Sequence, residues 1–138
     1  MRVSQRLDYA LRTVVLLAAQ PGGEYVAAGD LADRLLLPRR FVEQQVTALA
    51  RAGIVESRRG STGGAALARP ASNIPVLDVV FALEGVAVDV PRQPGSAVAE
   101  MWSGVAEAVE DHLSRITMAD LLARQRELDA LSVPMYYI

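Results

Sequence analysis

The sequence predicts a mainly α-helical fold that carries one small β-hairpin, and three observations support this. Through most of the 138 residues, apolar side chains recur every three or four positions, which is the spacing of one helix face. Over residues 54–69 that period gives way to two short runs around Gly60-Ser61-Thr62-Gly63-Gly64, the pattern of a hairpin. A loop bearing Pro91, Pro94 and Gly95 then separates this half from a further helical run.

Each element has its own signal. Ser4 suits an N-cap, and Leu7, Ala10, Leu11, Val14 and Ala18 follow at helical spacing until Pro21-Gly22-Gly23. A short helix is expected around residues 29–35, with Leu31, Ala32 and Leu35 inward. Pro38 suits the first turn of a third helix, whose inner stripe is Phe41 or Val42, Val46 and Leu49, with Gly53 as its stop. Helix, tight turn and helix in this order read as a helix-turn-helix. The hairpin is expected to pair residues 54–59 with 65–69, and directly after a helix-turn-helix it forms a wing. Asn73 and Pro75 open a fourth helix, with Val76, Val79, Val80 and Leu83 on one face and Gly85 as its end.

A long helix follows, carrying Val98, Trp102, Val105, Val109, Leu113 and Ile116 on one side. Glu100, Glu107, Glu110 and Asp111 lie on the other and read as a solvated face. Thr117 with Asp120 resembles a capping box, and Ile116 with Leu121 a hydrophobic staple. The helix should therefore break near Thr117 and a shorter one run to about residue 131. The tail, residues 133–138, is apolar enough to pack, against a partner the sequence does not name. The expectation is a winged helix-turn-helix over residues 1–85, then a connecting loop, dimerisation helix and short last helix over 86–138.

The net charge of −2 conceals an uneven distribution. Residues 1–70 hold ten Arg against six acids, a balance of +4, whereas residues 71–138 hold four Arg against ten acids, a balance of −6. A basic half beside an acidic half fits a DNA-binding module joined to something else, although two solvated surfaces could also differ in this way. No Lys occurs, and no Cys, so disulfides and thiolate metal sites are excluded. The longest strongly apolar run, residues 14–19, falls far short of the roughly 18 residues of a membrane span. The opening residues lack a signal peptide's apolar region. A cytoplasmic location without a membrane partner is therefore expected.

On a helix-turn-helix the second helix presents its amino-terminal outward residues to the major groove. Here these are Arg39, Arg40, Glu43, Gln44 and Thr47. Arg grips guanine with two donors, Gln pairs with adenine, and Glu accepts from the cytosine amino group. The same residues would also serve as an ordinary polar face. Arg58 and Arg59 precede the Gly-rich turn, whose small residues would let the tip approach phosphates or the minor groove. A generic charged hairpin is the alternative. Ser4 and Gln5 either hold a phosphate at the first helix or only cap it.

Enzymatic chemistry has few candidates. One His and no Cys or Lys leave little for nucleophilic or Schiff-base catalysis. His112 has no second ligand at helical spacing, so no metal or other cofactor is expected. The Gly-rich segment lacks the Lys of a phosphate-binding loop. No catalytic residue is assigned.

Gly60 through Pro70, then Ile74, Asp78-Val79-Val80 and Glu84-Gly85, resemble the signature of the Rrf-two family of bacterial winged-helix regulators. Tyr9-Ala10, Glu43-Gln44 and Ile116-Thr117-Met118-Ala119-Asp120-Leu121-Leu122 extend the resemblance along nearly the whole chain. It implies a long dimerisation helix, homodimers on palindromic operators, and Arg39, Glu43, Gln44 and Arg59 as contact residues. Some members hold an iron–sulfur cluster through three cysteines in the loop before the long helix. Residues 86–97 contain none, so the chain resembles a cysteine-free branch. It departs from the family pattern at Leu36, where such turns often carry Gly, and at Ala65, where the wing usually has Tyr.

The expected function is a DNA-binding transcriptional regulator, a repressor that binds a double-stranded operator as a homodimer through Val98, Trp102, Val105, Val109 and Leu113. Folding of that long helix back onto its own domain is the alternative to dimerisation. A winged-helix protein-interaction module is the alternative function. Arg92 and Trp102 would offer an anion partner and an apolar wall to a small-molecule effector, unless the loop only connects.

Overall fold

The computed structural model describes residues 2–60 and 63–132. The expected turn residues Ser61 and Thr62 and the tail 133–138 lie outside the described residues. The first helix, α1 (Gln5–Ala18), opens on Ser4, whose side chain accepts from the Leu7 amide. Such a cap contributes about 0.5–2 kcal/mol relative to Ala. Its inner face buries Leu7, Ala10, Val14 and Leu17, together with Thr13.

After a 3-10 turn at Pro21–Gly23 the chain runs extended into α2 (Ala28–Leu35) and then α3 (Arg39–Arg51). Leu36 joins the two helices in the left-handed region, at φ 56° and ψ 45°. The amide of Leu37 donates to Ala32 O at 2.9 Å and that of Leu36 to Asp33 O at 3.4 Å. These are the paired bonds of a Schellman turn, which favours Gly where Leu36 stands. Leu36 is 90% exposed, so burial does not offset its backbone cost.

Pro38 sits at the N-cap of α3 rather than inside its first turn. Val42, not Phe41, enters the core with Val46 and Leu49. Phe41 instead meets Tyr9 of α1 edge-on, with ring centroids 5.9 Å apart. Gln45 lies buried within the same stripe, with its Oε1 3.4 Å from Thr13 Oγ1.

The wing pairs β1 (Val55–Arg58) with β2 (Gly64–Leu67), antiparallel, with Val55 opposite Leu67 and Arg58 opposite Gly64. Both strands are shorter than their apolar runs suggest, although Ala68 N still donates to Ile54 O at 3.0 Å. Val26 adds a third rung: its amide and carbonyl exchange bonds with Ala65, each at 2.9 Å. Only Gly fits next to this rung, because a Cβ on Gly64 would stand 2.2 Å from Val26 O.

The fourth helix, α4 (Val76–Glu84), buries Val76, Val79, Val80 and Leu83, the face its spacing predicts. The long helix α5 (Ala97–Ser114) buries only Ala99 and Ala106. Thr117 and Asp120 form the expected capping box at the start of α6 (Met118–Leu131). The chain between α5 and α6 returns to the start of α4, where Val76 N donates to Ile116 O and Met118 N to Ile74 O, each at 2.8 Å. Met118 is fully buried in the core shared by α1, α3, α4 and the wing, and α6 packs against α1. The result is the mainly α winged helix-turn-helix, with one hairpin and a long penultimate helix, that the sequence predicts.

Candidate nucleic-acid interface

The outward face of α3 and the wing enclose one cleft of about 520 Å³. Arg39, Glu43 and Thr47 line it from the helix, and Arg58 and Arg59 from the hairpin. Ala27, Ala28 and Leu31 form its floor beside Val46. Helical periodicity places residues 39, 43 and 47 in one row, and the hairpin folds back toward that row. The structure thus brings together five of the residues singled out in the sequence. Arg40 and Gln44 are exposed on α3 but do not line this cleft.

Arg39 Nε lies 3.0 Å from Glu43 Oε1, and Thr47 Oγ1 donates to Glu43 O at 2.9 Å. The first amides of α3 have no side-chain cap and its first turn carries two Arg, so its positive end is open to an anion. At the wing, Gly63 N donates to Gly60 O at 3.0 Å. A Cβ on Gly63 would lie 2.3 Å from Arg58 O, so the return strand can come this close only as Gly.

Two participants have no signal in local sequence. The Arg58 guanidinium carbon stands 4.4 Å from the centre of the Tyr25 ring, within range of a cation–π contact. Tyr25 Oη donates to Glu56 Oε2 at 2.9 Å. Donation to that carboxylate, aided by desolvation, holds the phenol above its ordinary pKa of 10.0 against the opposing pull of Arg58. Strand alternation and the Val26–Ala65 rung would have exposed this cluster, but only once the register was known.

The remaining candidates lie elsewhere. Ser4 caps α1 and its hydroxyl donates to Glu84 at the end of α4. Arg6 pairs with the same carboxylate at 3.7 Å. An acid therefore stands at the Ser4 hydroxyl, where a phosphate held by Ser4 and Gln5 would have to bind. Arg92 and Trp102 do not share a site. Arg92 lines a polar cleft with Glu100 and Glu107, whereas Trp102 lines another, of about 390 Å³, with Val88, Asp89, Val90, Pro91 and Val105.

The apolar stripe of α5 also divides. Val98, Trp102 and Val105 are exposed, joined by Met101. Val109 is half-buried, and Leu113 packs against the chain's own core. No helix among the described residues is long and apolar enough to cross a membrane.

A family model described as Rrf2, iron-dependent transcriptional regulator, matches residues 3–124. The chain is 30% identical to the protein rrf2 of Nitratidesulfovibrio vulgaris, over 88% of this chain and 87% of that one. Its fold is similar to CymR, the global cysteine regulator of B. subtilis, at 28% identity and a TM-score of 0.80 over 90% of this chain and 98% of that chain. It is also similar to T. potens IscR, at 31% identity and a TM-score of 0.77 over 99% and 97%.

Among the described residues the iron in the family description finds no matching donors. The chain has no cysteine, iron–sulfur clusters are held chiefly by thiolates, and among the described residues no three His, Asp or Glu side chains converge as metal ligands. A match over nearly the whole chain, together with these relatives, establishes that the protein is a transcriptional regulator of the Rrf2 family.

Proposed function

We propose that this regulator is a repressor that binds a palindromic operator as a homodimer and carries no iron–sulfur cluster. The observation that supports this best is the single cleft formed by Arg39, Glu43 and Thr47 of α3 with Arg58 and Arg59 of the wing. A duplex whose major groove receives α3 meets base-reading side chains from the helix and guanidinium groups from the hairpin. Arg40 and Gln44 extend the same helix face. In this reading residues 1–85 read DNA and the segment from residue 86 onward pairs two chains.

Exposure of Val98, Met101, Trp102 and Val105 along one helix supports pairing through α5, since an apolar stripe of this kind is usually covered by a partner. Two chains joined there present two α3 helices to half-sites about one DNA turn, roughly 34–36 Å, or a multiple apart. The reading places a small-molecule effector at the Trp102 cleft, beside the pairing face, and leaves Arg92 outside it.

The test is selection of bound fragments from the source genome with the full chain at two salt concentrations. Enrichment of one palindromic motif overlapping promoters is the expected result. Salt-sensitive retention without any shared motif overturns the operator reading.

A further inference from the structure

We infer that Tyr25, outside both the recognition helix and the wing, is a positioning residue that presets the wing guanidinium of Arg58 for DNA. The Val26–Ala65 rung and the β1–β2 register determine which side chains share a face. With Val26 opposite Ala65, Tyr25 falls opposite Ala66, and Ala66 is opposite Glu56. Strand alternation places Tyr25, Ala66, Glu56 and Arg58 on the face turned away from Val26, Ala65 and Val55, which belong to the main core.

Ala66 is only 4% exposed, yet it does not belong to that core cluster. Its single methyl leaves room for a long side chain to cross from the Val26 segment to β1. Tyr25 crosses there: Oη reaches Glu56 Oε2 at 2.9 Å, and the ring lies under Arg58, 4.4 Å from the guanidinium carbon. The ring face restricts a side chain that would otherwise be free in water, and the phenol bond adds to the ring's placement over Ala66. Arg58 lines the α3–wing cleft, so its ordering bears on how the wing approaches a duplex. Restricting a charged side chain before binding removes part of its ordering cost on association.

This inference rests on the wing contacting DNA, and its test separates the two. Operator affinity and its salt dependence are measured for wild type, Arg58→Ala, Tyr25→Leu and the double variant, with Tyr25→Phe as the ring-preserving control. Tyr25→Met is a second bulk-preserving variant, and thermal melting checks each fold. Arg58→Ala should weaken binding and flatten the salt slope. Tyr25→Leu should weaken it about two- to fivefold, the range of an exposed cation–π contact. Tyr25→Phe should stay within about twofold of wild type, and the double variant should match Arg58→Ala alone.

A Tyr25→Leu loss that persists in full on top of Arg58→Ala, an unchanged or tighter Tyr25→Leu, or a Tyr25→Phe defect equal to that of Leu overturns the positioning role. In those cases the DNA reading of the wing still stands. A neutral Arg58→Ala overturns both that reading of Arg58 and this inference.

Discussion

Arg39 Nε and Glu43 Oε1 stand 3.0 Å apart across one turn of α3, on the face that lines the wing cleft. Both side chains are more than half exposed, at 70% and 52%, so the pair adds little to stability. In the proposed reading its effect is on binding: Glu43 would hold the Arg39 guanidinium along the helix until a guanine edge or phosphate competes for it.

If α3 reads bases as proposed, its variants lose discrimination. Arg39→Ala and Gln44→Ala should each cost about 1–3 kcal/mol on the operator and relax preference at one base pair. Glu43→Ala frees Arg39 and removes an acid from the proposed DNA face, so affinity for unrelated DNA should rise. Titrations against the operator and its single-base variants measure all three. Unchanged discrimination across the set removes α3 as the reader.

Arg59 is exposed at the lip of the cleft, next to the hairpin tip. If it neutralises one phosphate, Arg59→Ala lowers the slope of log affinity against log salt by about 0.9. Binding measured over a range of salt concentrations gives that slope directly. A slope that does not move assigns Arg59 to base or shape reading, or to no contact at all.

Pairing through α5 predicts that Val105→Glu with Val109→Glu yields a folded monomer with weak operator binding. Neither side chain is fully buried in the single chain, so the substitutions leave the core intact. Sedimentation at micromolar concentration compares the two proteins. A monomeric wild type contradicts the assembly.

Leu36 gives a stability prediction. A left-handed conformation costs an L-residue about 1–2 kcal/mol, while Gly costs roughly 0.5–1 kcal/mol in unfolded-state freedom. The side chain is 90% exposed and contributes little by burial. Leu36→Gly should therefore stabilise the protein by about 0.5–1 kcal/mol, read as a higher urea midpoint. A lower midpoint would overturn the backbone strain assigned to this turn.

Tyr25 should titrate above 10.0, because its protonated phenol donates to Glu56 and a phenolate would face that carboxylate. A raised pKa in the folded state favours the protonated form. The associated stability is fully present below the unfolded value and is lost as pH rises through the folded one. Ring-labelled tyrosine followed by NMR reports the shift. Glu56→Ala should bring it back down; an unaltered titration would place the cause elsewhere.

Much of this molecule is written in short-range chemistry. Ser4, Thr117 with Asp120, and the three- and four-residue spacing of α1, α3 and α4 each act within a few residues, so the helices and their order are legible before any packing is known. The row Arg39, Glu43 and Thr47 is legible for the same reason, since one helix turn brings it together. Tyr25 is not, because its partners Glu56 and Arg58 lie 31 and 33 positions away along the chain and meet it only through the Val26–Ala65 register. The separation of Arg92 from Trp102, near neighbours in sequence, depends on how the loop before α5 turns across that helix. Met118 looks like an ordinary first-turn residue, yet it fills the core because the chain after α5 bonds to Ile74 and Val76. Spacing within a helix is set by its own backbone geometry, whereas pairing between distant segments depends on the balance of packing across the whole chain, which no local pattern encodes.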